Sequence, residues 1–167
     1  MRHIIGILLQ NESGALTRVA GMFSSRGYNI ESLTVSATDD PALSRITLVT
    51  KGSEAVVSQI VHQLNKLIDV VAVDDMTSDD HLERELAIVK LRGKPAQREA
   101  VRALVEKAGG RVLTEERDCQ IVELASSEAA VTEFVRLLAA QSELLEIVRS
   151  GALAMSRQER SLHVVEG

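Results

Sequence analysis

The sequence predicts an α+β protein made of two successive β-α-β-β-α-β units. Two observations predict it. Apolar residues in the first half pass between strand-like and helical spacing in that order, and after a polar break at Thr77-Ser78-Asp79-Asp80-His81 the same order returns. The repeat is one of element order, not of residue identity. A chain of 167 residues with 45% hydrophobic and 26% charged residues has the composition of a globular protein with room for one or two small domains.

Each element follows from local pattern. Ile4–Leu9 is a continuous apolar run of strand length, closed by the polar stretch Gln10–Ser13. Leu16, Val19, Ala20 and Phe23 then repeat at helical spacing, with Asn11 and Ser13 as candidate N-caps and Gly27 as the stop. Ile30–Thr38 alternates apolar and polar residues as a half-buried strand does, Thr38–Ala42 is a turn, and Leu43–Lys51 completes a hairpin. Gly52-Ser53-Glu54 opens a helix carrying Val56, Val57, Ile60, Val61 and Leu64, and Asp69–Met76 is the closing strand. In the second half Glu85–Leu91 is a strand and Pro95 suits the first turn of a helix with Val101, Leu104, Val105 and Ala108, ended by Gly109-Gly110. Arg111–Glu115 and Cys119–Ala125 are strands about the turn Glu116-Arg117-Asp118. Ser126-Ser127-Glu128 caps a helix with Val131, Phe134, Val135 and Leu138, and Leu144–Ser150 closes the set. Domains are therefore expected at residues 1–76 and 83–157, with a linker at 77–82 and a tail at 158–167 in which Leu162, Val164 and Val165 are apolar.

A β-α-β-β-α-β unit is the split βαβ, or ferredoxin-like, motif, with two helices on one face of a four-stranded antiparallel sheet. Units of roughly 75 residues bury only about 60% of their unfolded surface, so they tend to pair. The strand Ile30–Thr38 carries one charge, Glu31, and neither Lys nor Pro to block pairing, whereas the fourth strand carries Asp69, Asp74 and Asp75. A two-fold homodimer through Ile30, Ser32, Leu33, Thr34 and Val35 is expected.

Composition excludes several function classes. Aromatics are 2% of the chain and the net charge is -5, which removes the stacking platforms and the basic surface that nucleic acids need. No run approaches ~18 apolar residues, so no membrane span is expected, and the opening apolar run lacks a signal-peptide cleavage site. One cysteine, Cys119, allows no internal disulfide and suits a reducing cytoplasm. The histidines His3, His62, His81 and His163 have no metal-ligand spacing, and no phosphate-loop, dinucleotide or nucleophile-elbow motif occurs. Neither catalytic residues nor a metal site are expected.

The turn Asn11-Glu12-Ser13-Gly14-Ala15-Leu16 joins the first strand to the first helix. Taken alone it reads first as plain helix capping, and the same physics offers a ligand site as the alternative. A helix start offers unpaired N–H groups and about half a positive charge, suited to a carboxylate. Gly14 lets a ligand approach the amides of Gly14, Ala15 and Leu16, and Asn11 can accept from an ammonium. Together they suit a free α-amino acid. Asn29 and Ile30, at the start of the dimer edge, could add a polar contact and an apolar wall.

Asn11 to Leu16, and then Arg26-Gly27-Tyr28-Asn29-Ile30-Glu31-Ser32-Leu33, resemble the small regulatory subunits of acetohydroxyacid synthase (acetolactate synthase). Asp40-Pro41 with Ser44-Arg45 and Thr47, Gln63 to Val70, Glu83 to Leu86, and Arg149-Ser150-Gly151 with Ser156-Arg157 extend the resemblance along nearly the whole chain. The resemblance implies an N-terminal ACT domain, the amino-acid-sensing form of the ferredoxin-like fold, and a C-terminal ACT-like domain. It implies a large catalytic subunit as partner, using thiamine diphosphate, Mg and FAD, with no cofactor in this chain. It implies feedback by valine or a related branched-chain amino acid bound at Asn11, Gly14, Ala15 and Leu16, with Asn29 and Ile30 from the facing subunit. A free-standing tandem-ACT sensor serving another enzyme or a transcriptional response has the same element order and stays open on that ground.

Overall fold

The computed structural model describes residues 1–158 and residue 162, and the chain divides into two compact units, 1–82 with 152–167 and 83–151. In the first unit the elements are β1 (Arg2–Gln10), α1 (Ala15–Ser25), β2 (Ile30–Ala37), β3 (Leu43–Lys51), α2 (Glu54–Leu64) and β4 (Val70–Asp75). The sheet runs β2-β3-β1-β4 and all its pairings are antiparallel, with β1 and β3 in register from Arg2↔Lys51 to Gln10↔Leu43. Ile5, Ile7 and Leu9 of β1 and Ile46 and Leu48 of β3 form one core with Val19 and Phe23 of α1 and Val57, Ile60 and Leu64 of α2. Because β1 is central and buried on both faces, its sequence is a continuous apolar run rather than an alternating one. Ser53 Oγ caps α2 by accepting from the Val56 N–H at 3.4 Å.

The second unit contains most of β5 (His81–Arg92), then α3 (Pro95–Ala108), β6 (Arg111–Glu116), β7 (Cys119–Ser126), α4 (Glu128–Gln141) and β8 (Glu143–Arg149). Its strand path is β6-β7-β5-β8. Ala87, Val89, Leu91, Val122 and Leu124 meet Val101 and Val105 of α3 and Val131, Phe134 and Leu138 of α4 in a separate core. Pro95 stands in the first turn of α3, Gly109 ends that helix at φ 74°, and Ser127 Oγ caps α4. Within this unit the Arg149 guanidinium clamps the buried Glu85 carboxylate through two bonds of 2.9 and 2.7 Å.

Two expectations need correction, the facing of α1 and the end of the linker. The stripe of α1 is turned: Ala15, Val19, Met22 and Phe23 are buried, while Leu16 and Ala20 face outward. Both stripes share Val19 and Phe23, and the small Ala15 side chain lets the helix start sit against the sheet. The linker expected at 77–82 ends early, since His81 and Leu82 already belong to β5. The second compact unit spans Glu83–Gly151, inside the domain expected at 83–157. The following segment holds a strand that the sequence reading missed, β9 (Leu153–Ser156). Ala152 and Ala154 are buried with Ile4, Val49 and Met76 on the face of the first sheet away from its helices. Arg45 Nη2 donates to the Ala154 carbonyl and the Arg157 N–H to the Asp80 carbonyl, each at 3.0 Å. Of the apolar tail residues, the Leu162 side chain lies against Gly6, and Val164 and Val165 fall outside the described residues.

Candidate functional site

The β1–α1 turn leaves the start of a helix uncapped. Gly14 precedes α1 at φ 86°, ψ -11°, a left-handed conformation that favours glycine, and no side chain caps the helix. Of the expected caps, Asn11 is bonded elsewhere. Asn11 donates its backbone N–H to the Ala42 carbonyl at 2.7 Å and its Nδ2 to the Pro41 carbonyl at 3.0 Å, tying the turn to the β2–β3 hairpin. Its Oδ1 remains an acceptor.

Of the three amides expected to be open, the Ala15 N–H is engaged by the Glu12 carbonyl at 3.2 Å. The Gly14 and Leu16 N–H groups donate to no acceptor among the described residues. They stand where the helix dipole is positive, and Leu16 beside them is 41% exposed. The arrangement can take a carboxylate on backbone donors, an ammonium on Asn11 Oδ1, and a small aliphatic group against Leu16.

Two residues that the sequence reading did not assign to the site support this turn. Arg18, one helical turn beyond Gly14, grips Asp69 with Nε and Nη2, the Nη2–Oδ1 distance being 2.8 Å. The sequence pattern sets Asp69 among the charges of the fourth strand. Its side chain is instead 5% exposed and lies before β4, in the α2–β4 turn. The hydrogen bond from Arg18 holds the Asp69 carboxyl below its ordinary range against the opposing effect of burial, and the same contact raises the Arg18 guanidinium. The available signal was the i, i+4 spacing of Gly14 and Arg18, but the carboxylate comes from far along the chain.

Asn29 and Ile30 do not join this cluster within one chain. Ile30 pairs with Thr50, and Thr50 with His3, so they sit at the end of the sheet opposite Gln10. His3 and Gln10 are separated by about 24 Å along β1 at ~3.4 Å per residue. Asn29 accepts from Thr50 Oγ1 through its carbonyl at 2.6 Å and donates Nδ2 to Glu31 at 3.1 Å. The expected dimer strand is an edge of the sheet. Ile30, Ser32, Leu33 and Thr34 are half-buried, Val35 is exposed, and Glu31 is drawn to Lys51 Nζ on β3 at 2.8 Å.

The other histidines and the cysteine that the structure describes lie apart from this turn. His3 is buried with Nε2 on the Gly52 carbonyl, His62 is exposed, and Cys119 is half-buried on β7. His163 lies outside the described residues. Among the described residues no three His, Cys, Asp or Glu side chains are grouped to hold a metal ion, and no helix is long and apolar enough to cross a membrane.

Comparison with known proteins matches both halves of the chain. Residues 5–72 match the family described as "AHAS small subunit-like ACT domain" and residues 84–158 the family "Small subunit of acetolactate synthase". The acetolactate synthase small subunit of Haemophilus influenzae is 41% identical over 97% of this chain and 99% of that protein. The isozyme 3 small subunit of Salmonella typhimurium is 43% identical over 96% and 98%. The crystal structure of the small subunit from Thermotoga maritima superimposes with a TM-score of 0.88 at 32% identity, over 96% of this chain and 99% of that one. With an uncapped ACT-type turn in its first unit and relatives matching from end to end, the chain belongs to the acetolactate synthase small-subunit family.

Proposed function

We propose that this chain activates the large catalytic subunit of an acetolactate synthase and makes it sensitive to valine, acting from the cytoplasm. Thiamine diphosphate, Mg and FAD belong, in this reading, to the partner, which condenses two pyruvates or pyruvate with 2-oxobutyrate. Valine, or a related branched-chain amino acid, lies on the Gly14 and Leu16 amides and Asn11, against the Leu16 side chain, with Asn29 and Ile30 of a second copy closing the pocket; Ala15, buried and with its N–H engaged, only carries the turn.

One observation carries the reading. The two halves of the site stand at opposite ends of one sheet, so a single chain cannot close them around a small ligand. Antiparallel pairing of β2 with β2 of a second copy, through Ile30, Ser32, Leu33, Thr34 and Val35, carries each Asn29 to the end where the other chain has Asn11. The unguarded edge supports that pairing, because its one charge is held by Lys51. A ligand between two copies stabilises one arrangement of the dimer over another, and a coupling of about 1–3 kcal/mol suffices for partial feedback.

The test is reconstitution. Adding the chain to the purified catalytic subunit is expected to raise the rate of acetolactate formation, and valine is expected to lower it again. Val35→Lys is expected to yield a monomer in sedimentation that no longer transmits the valine response. An unchanged rate on mixing, or full valine sensitivity from a monomeric variant, overturns the reading.

A further inference from the structure

The α2–β4 turn has no part in the ligand contacts above, yet it buries a carboxylate beside them. We propose that Asp69 is the positioning residue of the effector turn, acting through Arg18 and through its own carbonyl. This rests on the ligand reading given above and adds the device that holds the donors in place.

The residues flanking the turn both depend on Asp69. Its carbonyl accepts from the N–H of Gln10, the last residue of β1, at 2.8 Å. Its carboxylate takes Nε and Nη2 of Arg18 in the first turns of α1. The segment from Asn11 to Gly14 spans the gap between those two anchors. Arg18 also packs against the turn itself: a Cβ built on Gly14 would lie 3.1 Å from Nη1 and 3.7 Å from Cζ. Gly14 is thus backed by the flat guanidinium, while Asn11 is held on its other side by Pro41 and Ala42. Glu12 is the second carboxylate acting on Arg18, but it is exposed and forms no bond to the guanidinium.

A buried carboxylate is retained at a cost unless its pairing does something that an apolar residue would not. Backbone amides bind an anion only as well as the turn aims them, and displacements well under an ångström weaken such contacts. A two-pronged Arg–carboxylate fork fixes both distance and plane, which a Lys in the same place cannot. The fork therefore gives the Gly14 and Leu16 amides one orientation before the ligand arrives.

The experiment uses the full chain with L-valine as probe. Asp69→Asn keeps the volume and the backbone carbonyl but loses the charge, and Arg18→Lys keeps the charge but loses the fork. Calorimetric titration is expected to show valine binding weakened about 10- to 100-fold in both, the range typical when the group supporting a contact is removed. Hydrogen exchange without ligand is expected to quicken at the amides of Ala15 and position 18, which the Glu12 and Gly14 carbonyls hold, and to stay unchanged across the β1–β3 ladder. The exchanged pair Arg18→Asp with Asp69→Arg is expected to recover part of the affinity. Unaltered valine affinity in both single variants, or faster exchange throughout β1 and β3, overturns the proposal by making the pair merely structural. Absence of valine binding by the unaltered chain is a different result, and it overturns the ligand reading on which the proposal rests.

Discussion

Gly14→Asp gives the sharpest separation between folding and ligand recognition. Gly14 is at φ 86°, where a residue with a Cβ costs about 1–2 kcal/mol, with aspartate among the better tolerated. Its new Cβ would meet Arg18 Nη1 at 3.1 Å, a contact with the far end of a flexible side chain, which can yield. For a chain of this size the cost corresponds to a melting temperature lower by about 2–8 °C. The effect on binding is of another order. The new carboxylate takes the helix start and the Nη1 that Asp69 leaves open. Against a ligand carboxylate about 4 Å away, with an effective dielectric of about 20, repulsion is about 4 kcal/mol, on the order of a thousandfold in affinity. Gly14→Ala has at least as much backbone strain without the charge and is the control. Thermal melts paired with valine calorimetry are expected to show both variants folded and only Gly14→Asp without measurable binding. Equal losses in the two variants would refute the electrostatic argument, and valine binding by Gly14→Asp within about threefold of the unaltered chain would refute the site.

Three other outcomes follow from the packing. Gly110→Ala places a Cβ 2.5 Å from the Glu123 carbonyl, a backbone atom that cannot step aside, so the denaturant midpoint is expected to fall by an amount worth about 1–3 kcal/mol or more. Ser127→Ala removes the acceptor of the Ala130 N–H and is expected to cost about 0.5–2 kcal/mol in the same assay. On acidification, the depressed carboxyl of Asp69 contributes stability that is complete above its ordinary value of 3.8 and is lost as the pH falls through its lower folded value. Asp69→Asn is therefore expected to flatten part of the stability loss below about pH 4, and an unchanged acid profile would show that the pair contributes nothing there.

How much was legible differs element by element. β3 was placed at Leu43–Lys51 and is found there, because its strand pattern ends at a turn cluster on one side and at Gly52 on the other. Ser53, Ser127, Pro95 and Gly109 took their expected places at helix ends, since capping depends on neighbours within a few residues. The facing of α1 was misread because Ala15, Leu16, Val19, Ala20, Met22 and Phe23 form a wide apolar surface with more than one acceptable stripe. β9 went unread because a four-residue strand has little periodicity of its own. In the candidate site, Asn11, Gly14 and Leu16 were legible as a helix start, while Asp69 was read as an edge charge.

By itself the sequence determined what short-range physics controls: the element order, most boundaries and caps, the helix start after Gly14, and the edge strand without a guarding lysine or proline. Only the tertiary structure decided which atoms lie together across long separations. It brought Asp69 to Arg18 and Ala154 to Arg45, and it set Asn29 at the far end of the sheet from Asn11. Periodicity and capping act through nearest neighbours along the chain, whereas burying a carboxylate or choosing a helix face depends on which distant surface comes to cover it.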